Sequence, residues 1–191
     1  IKKSYPNAAQ IQIKTLKNLI NKAKKTKFGI EHQFHKINSV EEYIDKVPIR
    51  DYEDIKKYID EIKKGIKDIL WPGKPKYLAK TSGTTSGVKH IPITNESMPN
   101  HILSSRNALL FYVYETGDTS FLNGKTIFLQ GSPVLDEING ILIGRLSGIV
   151  AHHIPSYLRK NNLPSVKANS IEDWEEKVNE ICNETINENM T

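Results

Sequence analysis

Between two short runs of strand-forming residues lies Thr81-Ser82-Gly83-Thr84-Thr85-Ser86-Gly87-Val88-Lys89, a stretch built almost wholly from glycine and small hydroxyl side chains. Such a stretch can turn its backbone N–H groups inward around an anion, because no bulky side chain stands in the way. Gly83 and Gly87 permit the backbone angles, Ser82, Thr84, Thr85 and Ser86 add hydroxyl donors, and Lys89 supplies positive charge. That chemistry suits a polyphosphate. The spacing departs from a Walker P-loop, which has four residues between its glycines and a lysine directly after the second. Here three residues separate Gly83 from Gly87, and Val88 separates Gly87 from Lys89. The plainer reading of the same residues is an exposed hairpin tip.

The elements that must position this loop are legible in outline. Tyr77–Lys80 and His90–Thr94 read as the strands on either side of it, after the turn chemistry of Trp71-Pro72-Gly73-Lys74-Pro75. Before them, Ile13, Leu16, Ile20 and Ala23 recur at helical spacing, with Asn7 as cap and Gly29 as stop. Ser39-Val40-Glu41-Glu42 is a capping box for a short helix that ends at Pro48. Asp51 caps a third, whose stripe is Ile55, Tyr58, Ile59, Ile62 and Ile66, interrupted by Gly65. These stripes are core. After the loop, a long helix with Ile102, Leu103, Leu109, Leu110 and Val113 is expected to start after Asn95 and to be ended by Gly117-Asp118. Thr126–Gln130 reads as a buried strand followed by the loop Gly131-Ser132-Pro133, and Gly140–Val150 as a buried, closely packed helix bounded by Pro155. Ser170 is expected to cap a last helix carrying Trp174, Val178, Ile181, Cys182 and Ile186. Helices and strands intermix, so the fold class is α/β, a mixed sheet flanked by helices.

Composition narrows the function classes. The 191 residues contain no apolar run of the ~18 residues that a membrane helix requires. The chain starts at Ile1 with no signal-like segment, and its single cysteine, Cys182, excludes an internal disulfide. A soluble protein of the reducing cytoplasm is expected, with Cys182 in a structural, buried role. The net charge of +5 raises nucleic acid as a partner, but only Arg50, Arg106, Arg145 and Arg159 are arginines among 27 basic residues, and phosphate forks and base edges favour Arg over Lys. Lys22, Lys24, Lys25 and Lys27 suit the end of a solvated helix. No nucleic-acid partner, no membrane and no metal site are expected.

Thr81-Ser82-Gly83-Thr84-Thr85 with Lys89 resembles the phosphate loop of the adenylate-forming superfamily, although Val88 stands where that superfamily often has Pro. Around it, Asn7-Ala8-Ala9-Gln10-Ile11-Gln12, Phe28-Gly29-Ile30-Glu31-His32, Val47-Pro48-Ile49-Arg50-Asp51-Tyr52-Glu53-Asp54-Ile55, Lys89-His90-Ile91-Pro92-Ile93-Thr94 and Gly144-Arg145-Leu146-Ser147-Gly148-Ile149 look like the Gretchen Hagen family of acyl acid amido synthetases, in its bacterial form. The resemblance implies a ligase that uses ATP and Mg²⁺ to turn a carboxylic acid into an acyl adenylate and passes the acyl group to an amine, typically of an amino acid. It implies that Ser82, Gly83, Thr84, Thr85, Ser86, Gly87 and Lys89 hold the nucleotide; no catalytic residue is assigned. Family members are much longer. Residues 1–191 are therefore expected to be the N-terminal part of the adenylation domain: a helical lead-in over 1–70, the strand-loop-strand over 77–94 and an α/β segment over 95–191. The rest of that domain and a C-terminal lid would lie elsewhere, and the fragment alone would be inactive. An acyl-CoA ligase and a non-catalytic nucleotide-binding module are the alternatives. Arg145, Leu146, His152 and His153 could approach the acyl pocket or the sheet's ligand face, but packing or surface exposure is their expected role.

Overall fold

A computed structural model describes residues 5–81, 87–154 and 159–190. The chain divides into two compact units, Ile1–Pro75 with Ile138–Ile141, and Lys76–Glu137 with Leu142–Thr191.

The first unit is helical. Helix α1 (Ala8–Ala23) turns Ile20 and Ala23 inward, where they pack with Phe34 and Ile37. Asn7 stands at its N-cap without a side-chain hydrogen bond, and Gly29 does not end it. Instead Thr26 starts α2 (Lys27–Glu31), its hydroxyl accepting from the Gly29 N–H at 3.0 Å. Gly29 sits within that turn because a Cβ there would stand 2.1 Å from the Ala23 carbonyl oxygen. Helix α3 (Val40–Lys46) is capped by Ser39 as expected, but the Glu42 carboxylate reaches back to the Asn38 N–H, one residue earlier than the capping box requires. Helix α4 (Tyr52–Lys63) has the full reciprocal box between Asp51 and Asp54, and buries Tyr58, Ile59 and Ile62. Ile66 falls outside it and is exposed, since Gly65 takes φ 83° and breaks the stripe.

Two of the sequence motifs meet in this unit. The Phe28 ring stacks on His32 at 4.0 Å and meets Tyr58 edge-on at 5.4 Å, and Arg50 lies over its face at 5.6 Å. Arg50 has only donors to offer, so its Nη2 donates to His32 Nε2 at 2.7 Å. The ring proton is then on Nδ1, which donates to the Phe28 carbonyl at 2.8 Å. The Tyr58 hydroxyl donates to the Glu31 carboxylate.

All but Ile138 and Ile141 of a four-stranded sheet, in the order β2-β1-β5-β4, belong to the second unit: β1 (Tyr77–Thr81), β2 (Lys89–Ile93), β4 (Asp136–Ile138) and β5 (Ile141–Arg145). β1 and β2 are antiparallel, while β1 and β5 are parallel. Tyr77, Ala79 and Ile93 on one face of the sheet pack with Met98 of α5 (Met98–Thr116) and Ile149 of α6 (Leu146–Ala151). Leu78 and Ile143, on the opposite face, are buried too. The stretch expected as a helix over Gly140–Val150 is thus a strand followed by a short helix. Its entry is a two-residue turn: Asn139 and Gly140 have φ 51° and 79°, the pair of positive values that a type I′ hairpin needs. The strand expected at Thr126–Gln130 shrinks to β3 (Thr126–Ile127), paired in parallel with β6 (Asn162–Leu163), and Phe128 and Leu129 are exposed.

Beyond Met98 and Ile102, α5 is apolar yet open: Leu109, Leu110, Phe111 and Tyr114 are all exposed before Gly117 ends the helix. The chain closes with α7 (Val166–Asn169) and α8 (Trp174–Thr185). Asp173, not Ser170, caps α8, accepting from the Glu176 N–H at 2.8 Å. Ser170 donates to the Val166 carbonyl instead. Cys182 is exposed, contrary to its expected burial, on a helix that buries none of its residues.

The clasp in the first unit has a pH signature. The hydrogen bond from Tyr58, then the charges of Lys57 and Lys27, hold Glu31 below the usual carboxylate range. Burial, then the Glu31 carboxylate, pushes the Tyr58 phenol up to about 12. Glu31 therefore contributes stability above the usual carboxylate range and loses it as pH falls through its own lowered value. Tyr58 contributes below ~10 and loses it as pH rises through about 12. Tyr58→Phe is expected to move the Glu31 midpoint upward in an NMR titration; an unmoved midpoint would show that the pair does not form.

Candidate functional site

The β1-loop-β2 segment brings the described part of the candidate loop to one edge of the sheet. Thr81, the last residue of β1, pairs with Lys89, the first of β2, and the preceding rung pairs Lys80 with His90. Cross-strand partners project to the same face, so Lys89 and Thr81 stand together at the mouth of the loop. Gly87 takes φ 81°, and a Cβ there would meet nothing within 4 Å, so backbone conformation and not crowding is what calls for glycine. Ser82, Gly83, Thr84, Thr85 and Ser86 lie outside the described residues. Of the expected nucleotide contacts, the structure therefore places Gly87 and Lys89.

On the other flank of β1, the parallel register sets Arg145 beside Lys80. Lys80 is neutralised by Asp136 of β4, at 2.6 Å. The edge to which β1 and β5 both point is their C-terminal one, where open α/β sheets bind ligands. The loop Gly131-Ser132-Pro133 lies against the junction of β5 and α6. The Gly131 N–H donates to Ser147 Oγ at 2.9 Å, and a Cβ on Gly148 would stand 2.1 Å from the Ser132 carbonyl oxygen. The sequence marks this segment as a loop leaving the C-terminal end of a strand, where open α/β sheets put ligands; its close glycine contacts appear once α6 is folded beside it.

The two adjacent histidines have structural partners. His152 Nε2 bonds to the Pro133 carbonyl at 2.7 Å, and His153 Nε2 lies 3.1 Å from the Tyr77 hydroxyl. Partial burial, then the charges of Lys76 and His152, hold His153 below the usual histidine range. The two rings turn to different partners, one on the loop after β3 and one on β1. A cavity of about 180 Å³ beside His152 is lined by Gln130, Pro133, Asn162, Pro164 and Ser165, away from the β1–β2 mouth. Among the described residues, no helix is long and apolar enough to cross a membrane.

Sequence comparison with curated proteins gives no match. Among solved structures, the GH3.15 acyl acid amido synthetase superposes with a TM-score of 0.67 at 24% identity, over 87% of this chain and 29% of that one. AtGH3.15 acyl acid amido synthetase in complex with 2,4-DB gives a TM-score of 0.63 at 24% identity, over 82% of this chain and 27% of that one. These two likenesses establish the fold, a mixed α/β arrangement shared with the first part of those enzymes, and this chain spans less than a third of their length. The model of the GH3 family N-terminal domain matches residues 1–166, and by that match the chain belongs to the GH3 family.

Proposed function

We propose that these residues form the N-terminal part of an ATP-dependent acyl acid amido synthetase, and that the β1–β2 loop holds the nucleotide phosphates. One observation carries the reading: in a chain of this family, a glycine- and hydroxyl-rich loop springs from a strand whose end pairs with Lys89. The substrate carboxylate attacks the α-phosphate of ATP, the bond to the β-phosphate breaks, and pyrophosphate leaves. An amine, typically of an amino acid, then attacks the acyl carbon and AMP departs. No protein nucleophile is needed, so the protein positions the reactants and offsets developing charge.

Within that scheme Lys89 would give a charge-assisted contact to a phosphate oxygen, and backbone N–H groups of the glycine-containing loop would donate to the others. The hydroxyls of Ser82, Thr84, Thr85 and Ser86 add donors. This donor set suits anionic oxygens and offers no carboxylate for a cation, so Mg²⁺ would arrive on the nucleotide and share the phosphate charge. The open apolar side of α5 supports the further reading that the remaining adenylation subdomain and a lid lie outside these residues, because a helix apolar on most sides is normally covered.

The test is acid-dependent exchange of labelled pyrophosphate into ATP by the full-length protein. Lys89→Ala is expected to lower the exchange rate about ten- to hundredfold, the equivalent of a lost charge-assisted contact worth ~1.5–3 kcal/mol. Gly83→Val should do comparable damage, since a branched side chain restricts the backbone where phosphate must approach. Parental rates from both variants, folded, would reduce the loop to a hairpin tip. The 191 residues alone are expected to form no amide from any acid and amine, and measurable turnover by that polypeptide would refute their reading as a part.

A further inference from the structure

Arg145 closes β5 on the rung it shares with Lys80 and, across β1, with His90; the next rung outward is Thr81 opposite Lys89. Neighbouring strands are about 4.8 Å apart, so Arg145 stands one strand spacing from the residue before the base of the loop, on the flank of β1 opposite Lys89 and on the other face of the sheet. Asp136 neutralises Lys80 on this rung, whereas among the described residues Arg145 makes no ion pair.

Exposed arginines are common and most have no task. Two observations set this one apart. Its stem is held in place, for a Cβ on Gly131 would stand 2.8 Å from both Cβ and Cδ of Arg145, so the side chain rests on the bare Cα of Gly131. A second cation also lies within its electrostatic reach. Lys177 of α8, half-buried, donates to the Asn169 carbonyl at 2.6 Å and has no carboxylate partner among the described residues. Burial, then the charge of Arg145, hold its ammonium below the usual lysine range. Like charges gathered without a counter-ion repel, and a bound oxyanion relieves that repulsion.

We propose that Arg145 is an oxyanion-binding residue of the adenylating site, receiving a nucleotide phosphate or the carboxylate of the acid on the side of the loop opposite Lys89; the inference rests on the adenylating function proposed above. A guanidinium fork matches either group with two parallel hydrogen bonds, which the lysines that dominate this chain cannot supply. As the carboxylate attacks, charge builds on the α-phosphate, and a guanidinium fixed beforehand beside the base of the loop, on the sheet face opposite Lys89, meets it without reorganising.

The experiment compares Arg145→Ala, Arg145→Lys and Lys89→Ala in the full-length protein, by pyrophosphate exchange at varied ATP and acid and by equilibrium dialysis of MgATP alone. Arg145→Ala is expected to raise the KM for one substrate about ten- to hundredfold, and Arg145→Lys to restore only part of the loss. A raised KM for ATP with weaker dialysis binding assigns the phosphate. A raised KM for the acid with unchanged MgATP binding assigns the carboxylate. Gly131→Ala, which pushes the stem aside and keeps the guanidinium, should act in the same direction with a smaller effect. KM values and MgATP binding of Arg145→Ala equal to the parent's, in a folded protein whose exchange Lys89→Ala still impairs, overturn this proposal and leave the adenylating function standing. If the parent binds MgATP but exchanges pyrophosphate with no acid, the adenylating function falls, and unaltered MgATP binding by Arg145→Ala then removes this proposal as well.

Discussion

The two ladders that β1 makes, antiparallel with β2 and parallel with β5, decide which charged groups stand at the edge of the sheet. A register shift of one residue would turn Lys89 and Arg145 to the opposite faces and carry Tyr77, Ala79 and Ile93 out of the core they share with Met98 and Ile149. Burial of that apolar set therefore holds the charges in place. The packing of α5 and α6 on one face and the position of Lys89 at the mouth of the loop are two consequences of the same pairing.

The first unit shows how local chemistry serves a scaffold. Phe28, Glu31 and His32 come from one sequence motif and Arg50 from another, and they meet around Tyr58 by stacking, a cation over a ring and two hydrogen bonds that leave each polar group partnered. In the sequence these motifs carried the family resemblance and hinted at no particular role. Folded, they hold helices α2 and α4 together.

Much of the fold was legible because its signals are short-range. The caps at Ser39 and Asp51, the strands around the loop and the stripe of α4 each follow from side chains within a few residues of the feature. What was misread depends on partners far along the chain. Gly140–Val150 has the apolar density of a buried helix, and only the positive φ of Asn139 and Gly140, with pairing of β5 to β1, makes its first half a strand. Gly29 reads as a helix stop until the Ala23 carbonyl is seen against it. Thr126–Gln130 has strand-forming residues, but its parallel partner, Asn162–Leu163, is only two residues long, and a ladder cannot outrun its partner. Arg145 was legible only as one of four residues, with Leu146, His152 and His153, that could approach the acyl pocket, since neither its rung nor its contact with Gly131 can be read from spacing.

The candidate site is an inference from composition, and the chemistry proposed for it follows from what small hydroxyl residues, glycines and one lysine can do around an anion. The most direct test of that chemistry is a crystal structure of the full-length protein with a non-hydrolysable ATP analogue. Phosphate oxygens within hydrogen-bond distance of Lys89 Nζ and of the backbone N–H groups between Ser82 and Gly87 are the predicted result. Phosphates bound elsewhere, with Lys89 turned away from the nucleotide, would contradict it.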